Sequence, residues 1–235
     1  MSTNLLVLLA TSLSLVAASL DATKVMGKFA TNVLPASSGH VVLPRTTVST
    51  MDGGMKKYDG TSCTGQSEGG DADAVFLVQS VGTLKNVIIG DQSEGVHCLG
   101  PCTIQNVWWE AVCEDVTIKQ TSGTSYVVGG GFGSDKKIQH NGGGTVSIKD
   151  FYEDFGKGYS CGNCGTQYKT VTMSGIWAVN GDLAAGVNSN YGDTTISGTW
   201  DNVDNIWWYE GNGEPTKLGT GISTYCVYTN GVDDP

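Results

Sequence analysis

The chain is poor in charged residues, in proline and above all in arginine. Charged residues make up 15% of its 235 positions, only 5 residues are proline, and Arg45 is the single arginine. Segments with a helical period are also lacking, and after the N-terminus no apolar run is long enough to span a membrane. These absences argue against a helical protein and an integral membrane protein. The net charge of −10 argues against nucleic acid as a partner.

Glycine, in contrast, is abundant. The chain has 34 glycines, and short stretches rich in apolar β-forming residues lie between them. This composition is typical of a turn-rich, all-β protein with enough apolar residues for a core, so disorder is not expected. The length suits a single domain.

The first nineteen residues have the pattern of a secretory signal peptide. Residues 5–9 and 13–17 form the apolar region, and Val16-Ala-Ala18 or Ala17-Ala-Ser19 offers a small-residue cleavage site. A membrane anchor is the alternative, but the run is short and interrupted by serine and threonine. We therefore expect a secreted, extracellular protein with a signal peptide over 1–19, a short leader over 20–38 and one domain over 39–235.

The cysteines fit an oxidising compartment. In a secreted protein they are expected to form disulfides, and their odd number leaves one outside any internal pair. A zinc site is the alternative for the Cys98-x₃-Cys102 and Cys161-x₂-Cys164 spacings, but oxidation outside the cell favours disulfides. The seven are Cys63, Cys98, Cys102, Cys113, Cys161, Cys164 and Cys226.

A weak repeat follows the leader. Short alternating strands end in Gly, Asn or Asp, and their central apolar residues recur at intervals of about 20 to 25 residues. Without helices between them, such strands predict the coils of a parallel β-helix, with a β-sandwich or β-trefoil as the alternatives. Asn86 and Asn106 fall at equivalent corners, where stacked amides would hydrogen-bond along the axis. The predicted core positions are Leu84, Ile104, Val127, Ile148, Met173 and Ile196.

Residues 94–119 concentrate the groups that can do chemistry. Carboxylates that converge in space suit Ca²⁺, which takes several oxygen ligands. Glu114 and Asp115 cannot both face inward on a regular strand, but at a turn both can reach one ion. Trp108 and Trp109 alternate, so one is expected in the core and the other at the surface as a sugar platform. The carboxylates of this stretch are Glu94, Glu110, Glu114 and Asp115.

This stretch resembles the signature of the microbial pectate lyases of polysaccharide lyase family 3. Residues 63–71, 134–141, 154–157 and 161–164 match the same family, and the resemblance covers roughly residues 35–230. It implies a right-handed parallel β-helix that cleaves polygalacturonate by β-elimination with bound Ca²⁺. A monomer is expected, and no membrane contact after signal cleavage. The acidic chain then meets its acidic substrate through bridging calcium ions.

The resemblance also assigns candidate calcium ligands and a base. Glu94, Glu114 and Asp115 occupy the calcium-ligand positions, and Lys136 matches the candidate general base, with Lys137 as its competitor if the alignment slips by one. The intervals from Glu94 to Glu114 and on to Lys136 are each about one coil, so we expect these residues on one face. A lysine can act as base only if burial or neighbouring cations lower its pKa.

Other matching positions suggest roles around the base. Lys157 would bind substrate carboxylate and lower the pKa of Lys136, and Lys119 is a second substrate-binding candidate. Glu68 matches a position proposed as the acid that protonates the leaving oxygen. His97 and His140 are expected in core or hydrogen-bonding roles rather than in catalysis.

The pocket departs from the family pattern at two points. Many relatives carry Lys-x-Tyr-Arg-Ser-Cys, whereas this chain reads Lys157-Gly-Tyr-Ser160-Cys161, and residues 131–133 lack a lysine that relatives often have. A bidentate guanidinium clamp is therefore missing unless Arg45 folds over the pocket. We expect reduced activity or a strongly alkaline optimum. A catalytically weakened homologue that still binds pectate is the alternative.

Overall fold

The computed structural model describes residues 34–60, 70–92, 94–112, 116–133, 136–154, 156–161, 167–179, 183–190, 192–201, 206–210 and 216–228. Across these ranges the chain forms strands and turns and no helix, so none of them supplies a helix able to cross a membrane. The strands are β1 (His40–Val42), β2 (Thr46–Asp59), β3 (Ala74–Gln92), β4 (Glu94–Cys98), β5 (Cys102–Val112), β6 (Val116–Ile118), β7 (Thr124–Gly133), β8 (Lys136–His140), β9 (Gly144–Asp154), β10 (Lys157–Ser160), β11 (Lys169–Val179), β12 (Leu183–Asn188), β13 (Gly192–Asp201), β14 (Ile206–Glu210), β15 (Thr216–Thr220) and β16 (Cys226–Tyr228).

From β4 to β13, strands that follow one another in sequence do not pair, and each pairs in parallel with the strand one coil away. Among the first strands, β1 pairs with β2, β2 with β3 and β3 with β4, also in parallel. One ladder runs through the short strands β4, β6, β8, β10, β12 and β14, and we call it the short-strand ladder. The other runs through β3, β5, β7, β9, β11, β13 and β16, and we call it the long-strand ladder. Strand β3 joins both ladders, and β14 pairs with β15 in antiparallel fashion. The predicted all-β, parallel β-helix is therefore confirmed.

The predicted core positions stack in one column. Successive partners in the long-strand ladder are Leu84, Ile104, Val127, Ile148, Met173 and Ile196. The first five are at most 3% exposed. Each coil thus repeats the same alternation, and burying one apolar residue against the next stabilises the stack through the hydrophobic effect.

The corners of the long strands take a left-handed backbone. Asn86 and Asn106 both have a φ of 54°, a conformation that asparagine tolerates better than most residues. Nδ2 of Asn106 donates to Oδ1 of Asn86 at 2.8 Å, and Nδ2 of Asn86 donates to Oδ1 of Asp52 at 2.9 Å. The predicted amide bonding along the axis is confirmed. Farther along the same ladder, Gly175 has a φ of 62°, and a Cβ there would lie 2.6 Å from the carboxylate of Asp150.

The two adjacent tryptophans are both buried. Trp109 lies in the main core, as expected. Trp108 faces the other way, but it is only 3% exposed, because Leu34 and Met55 pack against the cluster that it forms with Ile88 and Tyr152. The expectation of a surface sugar platform at Trp108 is therefore wrong.

A disulfide links Cys98 to Cys102, with their Cα atoms 6.0 Å apart. It closes the turn between β4 and β5, which confirms disulfide formation and excludes a zinc site for this spacing. Cys226 is buried, and burial raises the pKa of its thiol to about 12. Cys63, Cys113 and Cys164 lie outside the described residues.

Candidate functional site

Three of the predicted site residues each begin a strand of the short-strand ladder. Glu94 is the first residue of β4, Lys136 of β8 and Lys157 of β10. Lys136 and Lys157 are direct register partners on neighbouring strands. Glu94 stands two residues before Val96, whose column continues through Val116 to Ile138, two residues after Lys136.

This register brings Glu94, Lys136 and Lys157 into one row along the axis. Neighbouring strands lie about 4.8 Å apart, so Glu94 and Lys136 are separated by about 10 Å, with one intervening coil. Lys157 lies about 5 Å beyond Lys136 in the same direction. A row of this kind can present a carboxylate and two ammonium groups to one extended ligand.

Three further predicted site residues lie outside the described residues. They are the calcium ligands Glu114 and Asp115 and the acid Glu68. Within the described part of the chain, no group of three or more His, Cys, Asp or Glu side chains is arranged to hold a metal ion. Glu94 is therefore the described member of the predicted calcium site, and its carboxylate oxygens are the hard donors that calcium prefers.

Glu94 is a buried carboxylate in contact with a buried histidine. Oε2 of Glu94 lies 2.9 Å from Nε2 of His97, and the two side chains are 3% and 1% exposed. Burying a carboxylate costs free energy unless hydrogen bonds or cations compensate for the lost water. The hydrogen-bonding role expected for His97 is confirmed.

The other nitrogen of His97 faces a second carboxylate. Nδ1 lies 2.7 Å from Oδ1 of Asp71, and Nζ of Lys119 lies 2.5 Å from the same oxygen. The Lys119 ammonium, and after it the His97 ring, hold the pKa of Asp71 below its usual value. Sequence reasoning gave no role to Asp71, which is 26 residues from His97. Lys119, a predicted substrate contact, is engaged with this carboxylate.

The two candidate bases differ in burial. Lys136 is half-buried, whereas Lys137, the next residue of β8, is only 2% exposed. Both side chains make interactions. Consecutive side chains of a strand point to opposite faces, so Lys136 and Lys137 cannot both project into one site from the same face of β8.

A second buried histidine lies at the end of β8. Nε2 of His140 lies 3.1 Å from the carbonyl oxygen of Gly143, and Nδ1 lies 2.9 Å from the hydroxyl oxygen of Tyr159. Burial lowers the pKa of His140 to about 4, and the charge of Lys169 acts in the same direction. Its role is hydrogen bonding inside the solenoid, as expected from the sequence.

Comparison with known proteins gives matches over most of the chain. The family model described as pectate lyase matches residues 31–214. The chain is 51% identical to pectate lyase H of Emericella nidulans over 237 residues, which cover 91% of this chain and 89% of that protein. It is also 51% identical to probable pectate lyase E of Neosartorya fischeri, over 86% of this chain and 87% of that protein.

Solved structures with the same fold come from a bacterium. The catalytic domain of pectate lyase PelI from Erwinia chrysanthemi superposes with a TM-score of 0.65 at 28% identity, and covers 83% of this chain and 97% of that chain. PelI in complex with tetragalacturonic acid gives a TM-score of 0.63 at 30% identity, and covers 84% of this chain and 70% of that chain.

Proposed function

We infer that this chain, which belongs to the pectate lyase family and is a pectate lyase, cleaves (1→4)-α-D-galacturonan by calcium-dependent β-elimination outside the cell. The family predicted from the sequence is confirmed by these comparisons. The products would be 4,5-unsaturated oligogalacturonides, and the process would be the degradation of plant cell wall pectin. The row of Glu94, Lys136 and Lys157 on one ladder is the observation that carries the proposal.

Calcium would be held by Glu94 together with Glu114 and Asp115. Bound there, it would act as a Lewis acid that stabilises negative charge on the substrate carboxylate beside the reacting carbon. The buried carboxylate of Glu94 supports this assignment, because a buried anion is stabilised by a nearby cation. The acidic protein, with a net charge of −10, would otherwise repel its polyanionic substrate.

Lys136 is the proposed general base. Its neutral amine would take the proton from C5, the C5–H electron pair would form the C4–C5 double bond, and the C4–O bond would break. The leaving oxygen would take a proton, for which Glu68 is the proposed donor. The ammonium of Lys157, which lies on the neighbouring strand, would bind a substrate carboxylate.

The substrate class is supported by a similar protein. PelI, whose fold this chain shares, has been solved in complex with tetragalacturonic acid. An extended, negatively charged sugar polymer fits a row of groups spaced by one strand, since each ammonium can meet a separate carboxylate. Lys157 is the first substrate contact that we propose, and Lys119 is the second.

The alternative is a weakened homologue that binds pectate without efficient cleavage. Arg45 is exposed and directly precedes β2, whose first residue Thr46 pairs with Phe76 of β3. Five strand spacings separate that position from the row position of Lys157, which is about 24 Å. A guanidinium cannot reach across that distance, so Arg45 does not replace the clamp missing beside Lys157. The missing clamp therefore supports the alternative of a weakened pectate-binding homologue.

The test is the ultraviolet absorbance of the unsaturated product, measured on purified mature protein and polygalacturonate. We expect absorbance to rise with added calcium and to stay flat with chelator. Calcium-dependent retention on immobilised pectate without any rise would support the weakened binder. A rise that chelator does not affect would contradict the calcium mechanism.

A further inference from the structure

We propose that His97 is a positioning residue for Glu94, and that Asp71 and Lys119 in turn hold His97 in place. The three residues would form a support that fixes the direction of the Glu94 carboxylate toward calcium. This inference rests on the proposed function, because it takes Glu94 as a calcium ligand.

The bond between Glu94 and His97 breaks the regular alternation of β4. On a regular strand, side chains three residues apart point to opposite faces. His97 neighbours the core residues Val96 and Cys98, so it faces away from the core, and the carboxylate of Glu94 must turn toward that face to reach it. Glu94 is the first residue of β4, where the alternation is easiest to leave. The contact with His97 therefore holds the carboxylate toward that face.

The ring of His97 is fixed from its other side. With Nδ1 at 2.7 Å from Asp71 and Nε2 at 2.9 Å from Glu94, only one ring orientation satisfies both carboxylates. Asp71 lies in the turn before β3, and Lys119 directly follows β6, so neighbouring coils supply the anchors. The amide nitrogen of Lys119 donates to the carbonyl of Cys98 at 3.0 Å, which ties that coil to the end of β4.

Burial rises along this chain of contacts toward Glu94. The side chains of Asp71 and Lys119 are 43% and 35% exposed, whereas those of His97 and Glu94 are almost completely buried. An exposed ion pair contributes little to stability, since water and salt screen it. A hydrogen bond to a metal-binding carboxylate acts differently, because it removes the cost of orienting the ligand, and its loss typically lowers metal affinity 10- to 100-fold. Calcium affinity, rather than stability, is the informative quantity.

Substitution of His97 by asparagine or by glutamine tests separately its hydrogen bonds to Asp71 and to Glu94. In His97→Asn the amide can occupy only the position of Nδ1, beside Asp71, whereas in His97→Gln it can reach the position of Nε2, beside Glu94. We expect the calcium dissociation constant, measured by titration calorimetry on the purified mature protein, to rise about 10- to 100-fold in His97→Asn. In His97→Gln we expect a rise of only a few-fold, since the donor to Glu94 is restored.

Thr117→Val is the matched control. Thr117 is the register partner of His97 on the next coil, is also buried, and is close to valine in shape. We expect its calcium affinity to equal that of the wild type. Asp71→Asn tests the exposed end of the support, and we expect it to weaken calcium binding less than His97→Asn does. Thermal midpoints recorded in chelator show whether each variant is folded.

The outcomes separate this inference from the proposed function. Wild-type calcium affinity in His97→Asn, or an equal loss in the Asn and Gln variants, would overturn the positioning role. If His97→Asn does not fold, Asp71→Asn and Lys119→Met decide, and unchanged affinity in both would overturn it. A wild type that binds no calcium would overturn both proposals. Calcium binding that depends on His97, in a protein that yields no unsaturated product, would support the positioning role while the proposed lyase mechanism fails.

Discussion

The two buried histidines of the short-strand ladder have opposite surroundings. His97 lies between two carboxylates, Glu94 and Asp71. His140, two strands farther along the ladder, lies between the hydroxyl of Tyr159 and a backbone carbonyl. The register pairs His97 with Thr117 and Gln139, so His140 falls one residue out of step, in the column of Cys98 and Ile118.

That single step changes what each ring can do. A carbonyl oxygen only accepts, so Nε2 of His140 donates to Gly143, and its neutral Nδ1 accepts from Tyr159. His97 faces the other way and reaches the strand start at Glu94. Three strands of this ladder begin with Glu94, Lys136 and Lys157. The ends of β4 and β8 carry structural contacts, the disulfide at Cys98 and the hydrogen bonds of His140. In the proposed mechanism, catalysis and binding therefore belong to the starts of these strands, and scaffold contacts belong to their ends.

The largest effect that tests this difference between strand starts and strand ends is a loss of kcat, expected at Lys136. We expect Lys136→Ala to lower kcat about 10²- to 10⁴-fold, the contribution that a general base usually makes. Stability should change little, because the side chain is only half-buried. The value of kcat is measured from initial rates of product absorbance with saturating calcium, and urea unfolding of the same samples reports stability.

Lys137→Ala is the paired variant for that measurement. Its side chain is buried, so we expect it to lower stability more than Lys136→Ala and kcat much less. The reverse pattern, with kcat lost only in Lys137→Ala, would move the base by one residue.

The next effect concerns acid stability and belongs to His140. Its pKa is about 4 in the folded protein and near 6.5 in the unfolded chain, so between these values only the unfolded state takes up the proton. The contribution of His140 to the free energy of unfolding is therefore fully present above pH 6.5 and is lost as pH falls toward 4. The full loss is about 3 kcal/mol. Urea unfolding at a series of pH values in chelator would show it.

His140→Gln is the control for this slope. Glutamine can donate to the Gly143 carbonyl but does not titrate, so the variant should be less stable at neutral pH and should lose less stability between pH 6.5 and 4. An identical slope in both proteins would assign the acid effect to other groups.

A smaller effect is expected at Tyr159. Tyr159→Phe removes the hydroxyl that donates to His140 and leaves a buried ring nitrogen without that partner, which should cost about 1–3 kcal/mol of unfolding free energy. Calcium affinity should stay at the wild-type value, since the contact belongs to the scaffold end of the strands. A loss of calcium affinity as large as that expected for His97→Asn would break the division between the two histidines.

The coil repeat made the fold predictable. Leu84, Ile104 and the four later core positions recur at a nearly constant interval, because every coil must present an apolar residue to the same column. The corner residues Asn86 and Asn106 follow the same interval, so their amide contact was also predictable. For the candidate site, the interval alone was enough to expect Glu94 and Lys136 on one ladder.

Side-chain direction and cover from distant segments were not predictable. The interval gives the coil on which Glu94 lies, but not the turn of its carboxylate toward His97 at the start of β4. Asp71 meets His97 only because two coils stack, and no local pattern joins them. Trp108 was expected at the surface because alternation says nothing about Leu34, which packs over it.

The smallest effect lies outside both histidine regions, at the corner residue Asn106. Its amide donates to Asn86, and its Oδ1 accepts from Nε1 of Trp108 at 2.7 Å. Asn106→Ala removes these contacts and places alanine at a left-handed φ, a conformation that should cost alanine about 1–2 kcal/mol more than it costs glycine. Asn106→Gly removes the same contacts without that strain, so the difference between the two variants in urea unfolding isolates the backbone contribution. Equal losses of unfolding free energy in the two variants would mean that the corner depends on its amide contacts alone. Calcium affinity should be unchanged in both variants, because Asn106 lies on the long-strand ladder and Glu94 on the short-strand ladder.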